Sequence, residues 1–375
     1  MPLMIELQEA GGKLKNKFNR QLDFEQRFMR SQSLGDFISN GFAVNDQFPS
    51  TLDGDPVVRT YDNFTINEGH TVTTVNRCKG LYLFINGDLT INGILSMTAR
   101  GANAPGKFVG ILPNTDEILF NSTDIFTDKG IITLPADGGS GGATVGGTSN
   151  LTVRVDGLNG ATKFRGSGGG ASGGANLHYS DRIAQAKSTL WSGPGSAGTS
   201  FSGGSGGGGV ASRYGGGSAG SGNIDGGIGG NGRAVAAGSR GTAGGTGGAG
   251  AAGPGTNGWA EFSADGDVKF DTGFGNGAGG LIILIVKGNI IIGPTGKILS
   301  RGTQSPGISS YGNPATVATG GGSGGGITML FHNGEFQNDG EISLTGGISG
   351  NIPTALTTKN FGGQGGTGHH EIIKY

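Results

Sequence analysis

Apolar side chains recur along this chain at two different spacings, and the change comes near residue 57. In residues 13–34, Leu14, Phe18, Leu22 and Met29, with Phe24 and Phe28 beside them, form a stripe near helical spacing. That spacing predicts one amphipathic helix. Two uses of the stripe are open: packing on the protein's own strands, or docking the chain onto a neighbour through Leu14, Phe18, Leu22 and Phe28. Residues 45–56 are polar and end in Asp53-Gly54-Asp55-Pro56, a turn within a linker. Past that point the helical period gives way to alternation. Val57-Val58-Arg59-Thr60-Tyr61 and Phe64-Thr65-Ile66-Asn67 alternate at the strand period, with Asn67-Glu68-Gly69 as the turn before Thr71-Val72-Thr73.

Three stretches then share one grammar. They are Gly80-LYLFI-Asn86-Gly87-DLTIN-Gly93-ILSMTAR-Gly101, Gly280-LIILIVK-Gly288-NIIIGPT-Gly296-KILSR-Gly302 and Gly326-ITMLFHN-Gly334-EFQND-Gly340-EISLT-Gly346. In each, an apolar strand meets a glycine turn, a second short strand meets another, and a third ends in Thr, Ser or Arg before glycine. A single unit cannot cover its own apolar face, so the copies are expected to stack or pair, the second and third as direct neighbours. The glycine corners are expected to supply positive φ. The pattern suits either a solenoid coil or a small meander packed as a sandwich.

Composition changes the picture between the first and second copies. Glycine accounts for 84 of the 375 residues, against 12 prolines, far from ordinary globular usage. Gly226, Gly229, Gly232, Gly238, Gly241, Gly244, Gly247, Gly250 and Gly253 share one three-residue frame, broken only at Val235. A period of three is that of polyproline-II geometry. Collagen would need proline at its other positions, and Pro254 alone lies in or beside the phased stretch. A flexible linker would not need the phase. The expectation is a bundle of polyglycine-II helices, with insertions of ordinary composition at residues 108–134, 176–191 and 304–319. The whole then reads as mostly β. Residues 1–56 are a helix and linker, 57–136 a β domain with the first repeat, 137–260 a polyglycine-II body, and 261–375 the other two repeats with glycine tracts.

Charge and cysteine usage exclude several classes. The formal net charge is -1, from 26 basic and 27 acidic residues, so no nucleic-acid partner is expected. Cys78 stands alone and reads as a small buried residue. Leu281–Val286, the most apolar run, has six residues where a membrane span needs about 20. Residues 1–12 show no secretory leader, which suits a protein assembled in a host cytoplasm better than an exported one.

Candidate chemistry is sparse. Gly101-Ala-Asn-Ala-Pro-Gly106-Lys107 approaches a phosphate loop but places Phe108 where a metal-binding hydroxyl belongs. Residues 193–198 match a dinucleotide fingerprint in letters only. Ser140, Ser205 and Ser323 sit between glycine pairs like nucleophile elbows, yet no α/β sheet pattern supplies a base. The His369-His370-Glu371 cluster reads as a solvated tail before it reads as a metal ring on an oligomer axis. No catalytic residue, metal site or cofactor is expected, and the chain is not expected to be an enzyme. The sparse aromatics in or beside glycine tracts carry more weight, since rigid exposed rings contact sugars and protein surfaces well. Tyr179, Trp191, Tyr311 and Tyr214, with His178, are the candidate contact residues; Phe274 reads as local packing.

Residues 78–101, Cys-Lys-Gly-Leu-Tyr-Leu-Phe-Ile-Asn-Gly-Asp-Leu-Thr-Ile-Asn-Gly-Ile-Leu-Ser-Met-Thr-Ala-Arg-Gly, resemble a segment of glycine-rich tail-fibre-like proteins of bacteriophages. The tracts at 320–328 and 362–368 look like the ends of those proteins, and the resemblance spans residues 57–375. The glycine body is similar in style to distal receptor-binding adhesins of T-even-like phages, from which the β repeats and N-terminal helix depart. The resemblance implies a virion protein whose loops recognise a bacterial surface receptor, a glycan or an outer-surface protein. Its other partners would be tail or baseplate proteins and further copies of itself, a trimer among the forms. A purely structural baseplate, tail or head-fibre subunit is the alternative, and an ice-binding protein the third class.

Overall fold

The computed structural model describes residues 32–42, 46–102, 198–199, 201–204, 277–304, 321–348 and 363–374 in full, and the backbone of short strands elsewhere. In chain order the strands begin with β1 (Phe37–Ile38) and β2 (Gln47–Phe48). Two complete triplets follow: β3 (Val57–Tyr61), β4 (Phe64–Ile66) and β5 (Thr71–Thr74), then β6 (Leu81–Ile85), β7 (Leu89–Ile91) and β8 (Ile94–Ser96). Next come β9 (Phe108–Ile111), β10 (Ile118–Phe120), β11 (Ile132–Pro135), β12 (Ala175–Asn176), β13 (Leu190–Trp191), β14 (Val210–Ser212) and β15 (Val268–Phe270). The third triplet is β16 (Leu281–Val286), β17 (Ile290–Ile292) and β18 (Lys297–Leu299), followed by β19 (Ile308–Tyr311) and β20 (Thr316–Ala318). The last triplet is β21 (Ile327–His332), β22 (Phe336–Asn338) and β23 (Glu341–Ser343), and β24 (Lys359–Asn360) and β25 (His369–Lys374) close the series.

The triplets stack as coils. Corresponding strands of successive coils pair in parallel, forming three five-stranded sheets. The first sheet runs β3, β6, β16, β21, β25; the second β1, β4, β7, β17, β22; the third β2, β5, β8, β18, β23. This parallel register decides between the two arrangements left open by the repeats and rules out the sandwich. Arg59, Leu83, Leu284, Leu330 and Ile372 form one column across the first sheet. The first and second repeats also pair directly, Leu83 against Leu284, although residues 102–279 separate them in sequence.

Two apolar cores explain the burial patterns. Leu89 and Ile91 in the second sheet, Leu95 and Ile298 in the third, and Leu81, Leu83 and Ile85 in the first point into a common interior. The inner strands of the second and third sheets alternate buried with half-buried positions, as strands with one covered face do. The first sheet differs. All six residues of β16 are buried, the continuous apolar run expected of a parallel strand covered on both faces. Its outer face carries Tyr82, Phe84, Leu281, Ile283, Ile285, Met329 and Phe331 in a second core. Each such side chain taken fully from water contributes roughly 1.5–3 kcal/mol.

Four expectations need correction or placement. Residues 1–31, with Leu14, Phe18, Leu22 and Phe28, lie outside the described residues. At the end of the expected helix, residues 32–34 are not helical: the Leu34 N–H donates to the Thr60 carbonyl at 2.9 Å. Among the described residues there is no helix. His369, His370 and Glu371 are not a free tail, because β21 templates them into β25. Most repeat glycines are also not at positive φ; among the described glycines only Gly35, Gly41, Gly69 and Gly80 are. The phased glycines 226–253 lie outside the described residues.

Candidate attachment surface at the glycine corner

Every insertion leaves the coils at the same corner. Residues 103–276, 305–320 and 349–362 each depart after a strand of the third sheet and return into the first. From β3 onward the other two corners are closed by short turns, and between the first and second sheets side-chain oxygens cap the backbone of the next coil. Asp36 Oδ1 accepts from the Asn63 N–H, Asn63 Oδ1 from Asp88, Asp88 Oδ1 from Asn289 and Asn289 Oδ1 from Glu335, at 2.7–3.1 Å.

At the insertion corner, backbone does what side chains do elsewhere. The Gly203 N–H donates to Gly279 at 2.9 Å, Gly279 to Gly324 at 3.0 Å, Gly324 to Gly204 at 2.7 Å, and Gly325 to Gly366 at 2.9 Å. None of these tracts is a strand. A Cβ on Gly325 would stand 1.8 Å from the Leu344 carbonyl oxygen, so only glycine permits the approach. Ser323 is buried here, and its hydroxyl donates to the Gly277 carbonyl at 2.9 Å. It is a strut between tracts, with no base beside it in this network.

The insertions meet one another beyond the corner. β14, β20 and β24, one strand from each insertion, form a single sheet. β15 pairs with β19, setting Tyr311 opposite Val268, and β13 pairs with β12, setting Trp191 opposite Ala175. Trp191 and Tyr311 therefore sit on short paired strands in different sheets. Tyr179, Tyr214 and His178 lie outside the described residues, as do Ser140 and Ser205.

One contact went unread in the sequence. Phe201, within the longest insertion, is 1% exposed and packs into the outer core of the first sheet. Its signal is a lone large apolar residue flanked by Thr199 and Ser202 inside a glycine tract. Tyr82, in the same core, is fully buried with no hydrogen-bond partner for its hydroxyl among the described residues, and burial holds its phenol well above the ordinary range. Cys78 is buried as expected, and burial pushes its thiol up. Among the described residues no group of three or more His, Cys, Asp or Glu side chains could hold a metal.

No protein-family model matches the chain, and neither a curated protein nor a solved structure matches it significantly.

Proposed function

We propose that this chain is a structural and adhesive protein of a phage virion, a tail-fibre or tail-tip component whose insertions contact the bacterial surface. The observation that carries the reading is the common origin of all three insertions at one corner, joined by strands from each. A stiff parallel coil that gathers its variable chain on one edge is built to display loops. The glycine tracts serve as the mount. Their lateral backbone hydrogen bonds, made outside any strand, are the bonding that polyglycine-II packing of residues 226–253 would extend. Trp191 and Tyr311, with Tyr179, Tyr214 and His178, are the contact residues of this reading, and the receptor is a glycan or an outer-surface protein. Several copies per virion, a trimer among the forms, would turn weak contacts into firm attachment.

Binding of the purified chain to a panel of intact bacterial cells tests it, alongside a variant with Tyr179, Trp191 and Tyr311 all changed to Ala. Each buried contact aromatic contributes about 2 kcal/mol to an interface, so the variant should lose binding to any strain the parent binds. A parent chain that binds no strain sinks the adhesive reading.

A specific observation favours the purely structural alternative. Among the described residues, the exposed large apolar side chains are Leu34, Ile38, Phe42, Leu52 and Val75 near the first coils and Ile348 and Ile372 near the last. Exposed apolar side chains at the two ends of the stacked coils suit contacts with neighbouring subunits.

A further inference from the structure

We infer that Phe201 is a positioning residue for the attachment surface, the anchor of a clamp that ties the middle of the long insertion back onto the coils. For its function the inference rests on the adhesive reading; its structural part does not. The clamp is residues 199 and 201–204. Thr199 organises it locally: its N–H donates to the Ser202 carbonyl at 2.8 Å, and its hydroxyl oxygen accepts from the N–H groups of Phe201 and Ser202 at 3.1 and 3.2 Å. This compact turn points Phe201 into the outer core, against the face that holds Tyr82, Phe84 and Leu281.

Polar bonds then fix the turn to both ends of the insertion. The Ser202 hydroxyl donates to the Ala102 carbonyl at 3.1 Å, where the insertion leaves. Ser202 bridges Gly280 in antiparallel fashion, and the Gly203 N–H donates to Gly279 at 2.9 Å, where the insertion returns. The Gly204 carbonyl accepts from Gly324 at 2.7 Å, reaching the next coil. Exit, midpoint and return are thus held together. The clamp divides one long excursion into two loops, 103–198 carrying Trp191 and 205–276 carrying β14 and β15. Two shorter loops lose less entropy when they are ordered for binding than one long one.

Hydrogen exchange of the full chain, of Phe201→Ala and of Phe201→Leu decides the structural part. The Ala variant should exchange about tenfold or more faster at residues 198–204 and 277–280 through local opening. Residues 81–96 and 281–299 should exchange as in the parent, and Leu should restore protection. Unchanged exchange at 198–204, or a uniform rise through all the coils, overturns the clamp. Cell binding decides the functional part: the Ala variant should bind the parent's target cells more weakly and the Leu variant equally well. Faster exchange with undiminished binding overturns the positioning role. A parent that binds no cells removes the adhesive reading, and the exchange data still judge the clamp.

Discussion

A methyl group added at Gly296 would lie 2.0 Å from the carbonyl oxygen of Ile91 in the preceding coil. Gly69 is the contrast: its φ is +77° and nothing stands within 4 Å of an added Cβ. One glycine is required by space and the other by backbone geometry, and the sequence marks both with the same letter. Expecting positive φ at the repeat corners was therefore right in residue type and, at every described repeat glycine but Gly80, wrong in cause. The two causes separate experimentally. Gly296→Asn should destabilise the fold by about 1–3 kcal/mol, as overpacking does. Gly69→Asn should be nearly neutral, since Asn tolerates the left-handed region. Urea unfolding midpoints of the two variants check this, and equal losses would show that one cause serves both sites.

At the scale of the strand, the third sheet's last members carry a charged ladder. Glu341 in β23 accepts a hydrogen bond from Arg301 and lies 3.5 Å from Lys297 Nζ on β18, its parallel neighbour. Burial pushes its carboxyl up, but Arg301 and then Lys297 outweigh that and hold it below its ordinary value. The folded state thus binds the proton less readily than the unfolded chain. The pair's stabilisation is present above the unfolded value and disappears as pH falls through the folded one. Glu341→Gln should flatten that acid loss while leaving the parallel register intact, measured as unfolding midpoints at neutral and acid pH. An unchanged acid slope would assign the loss to other groups. The repeat units themselves were legible, because each strand's apolar alternation is local. The strand at His369–Lys374 was not, because two histidines and a glutamate carry no strand signal until β21 pairs with them.

On the scale of the molecule, the coils are discontinuous in sequence and continuous in space. Ile85 pairs with Val286 and Ile91 with Ile292, so β6 to β8 and β16 to β18 are adjacent layers of one core. A protease site engineered at residue 230 should therefore cut the chain without parting it. The two fragments should co-elute in size exclusion and separate only in denaturant; separation in native buffer would mean that the layers do not bury enough to hold without the covalent link. Pairing over such separations also demands costly loop closure before contact, which predicts slow refolding as a consequence of the same geometry.

What the amino-acid sequence determined by itself was the local grammar: short apolar strands, their common three-part unit, glycine at the corners of the three repeats, and a single buried cysteine. These follow from alternation and turn chemistry, which act over a few residues. Tertiary structure alone decided that the units run parallel, that both faces of β16 are covered, that all insertions share one corner, and that Phe201 closes back on the first sheet. Each depends on which distant surfaces meet. An apolar face specifies that it must be covered, but only the stacking of the coils determines by what.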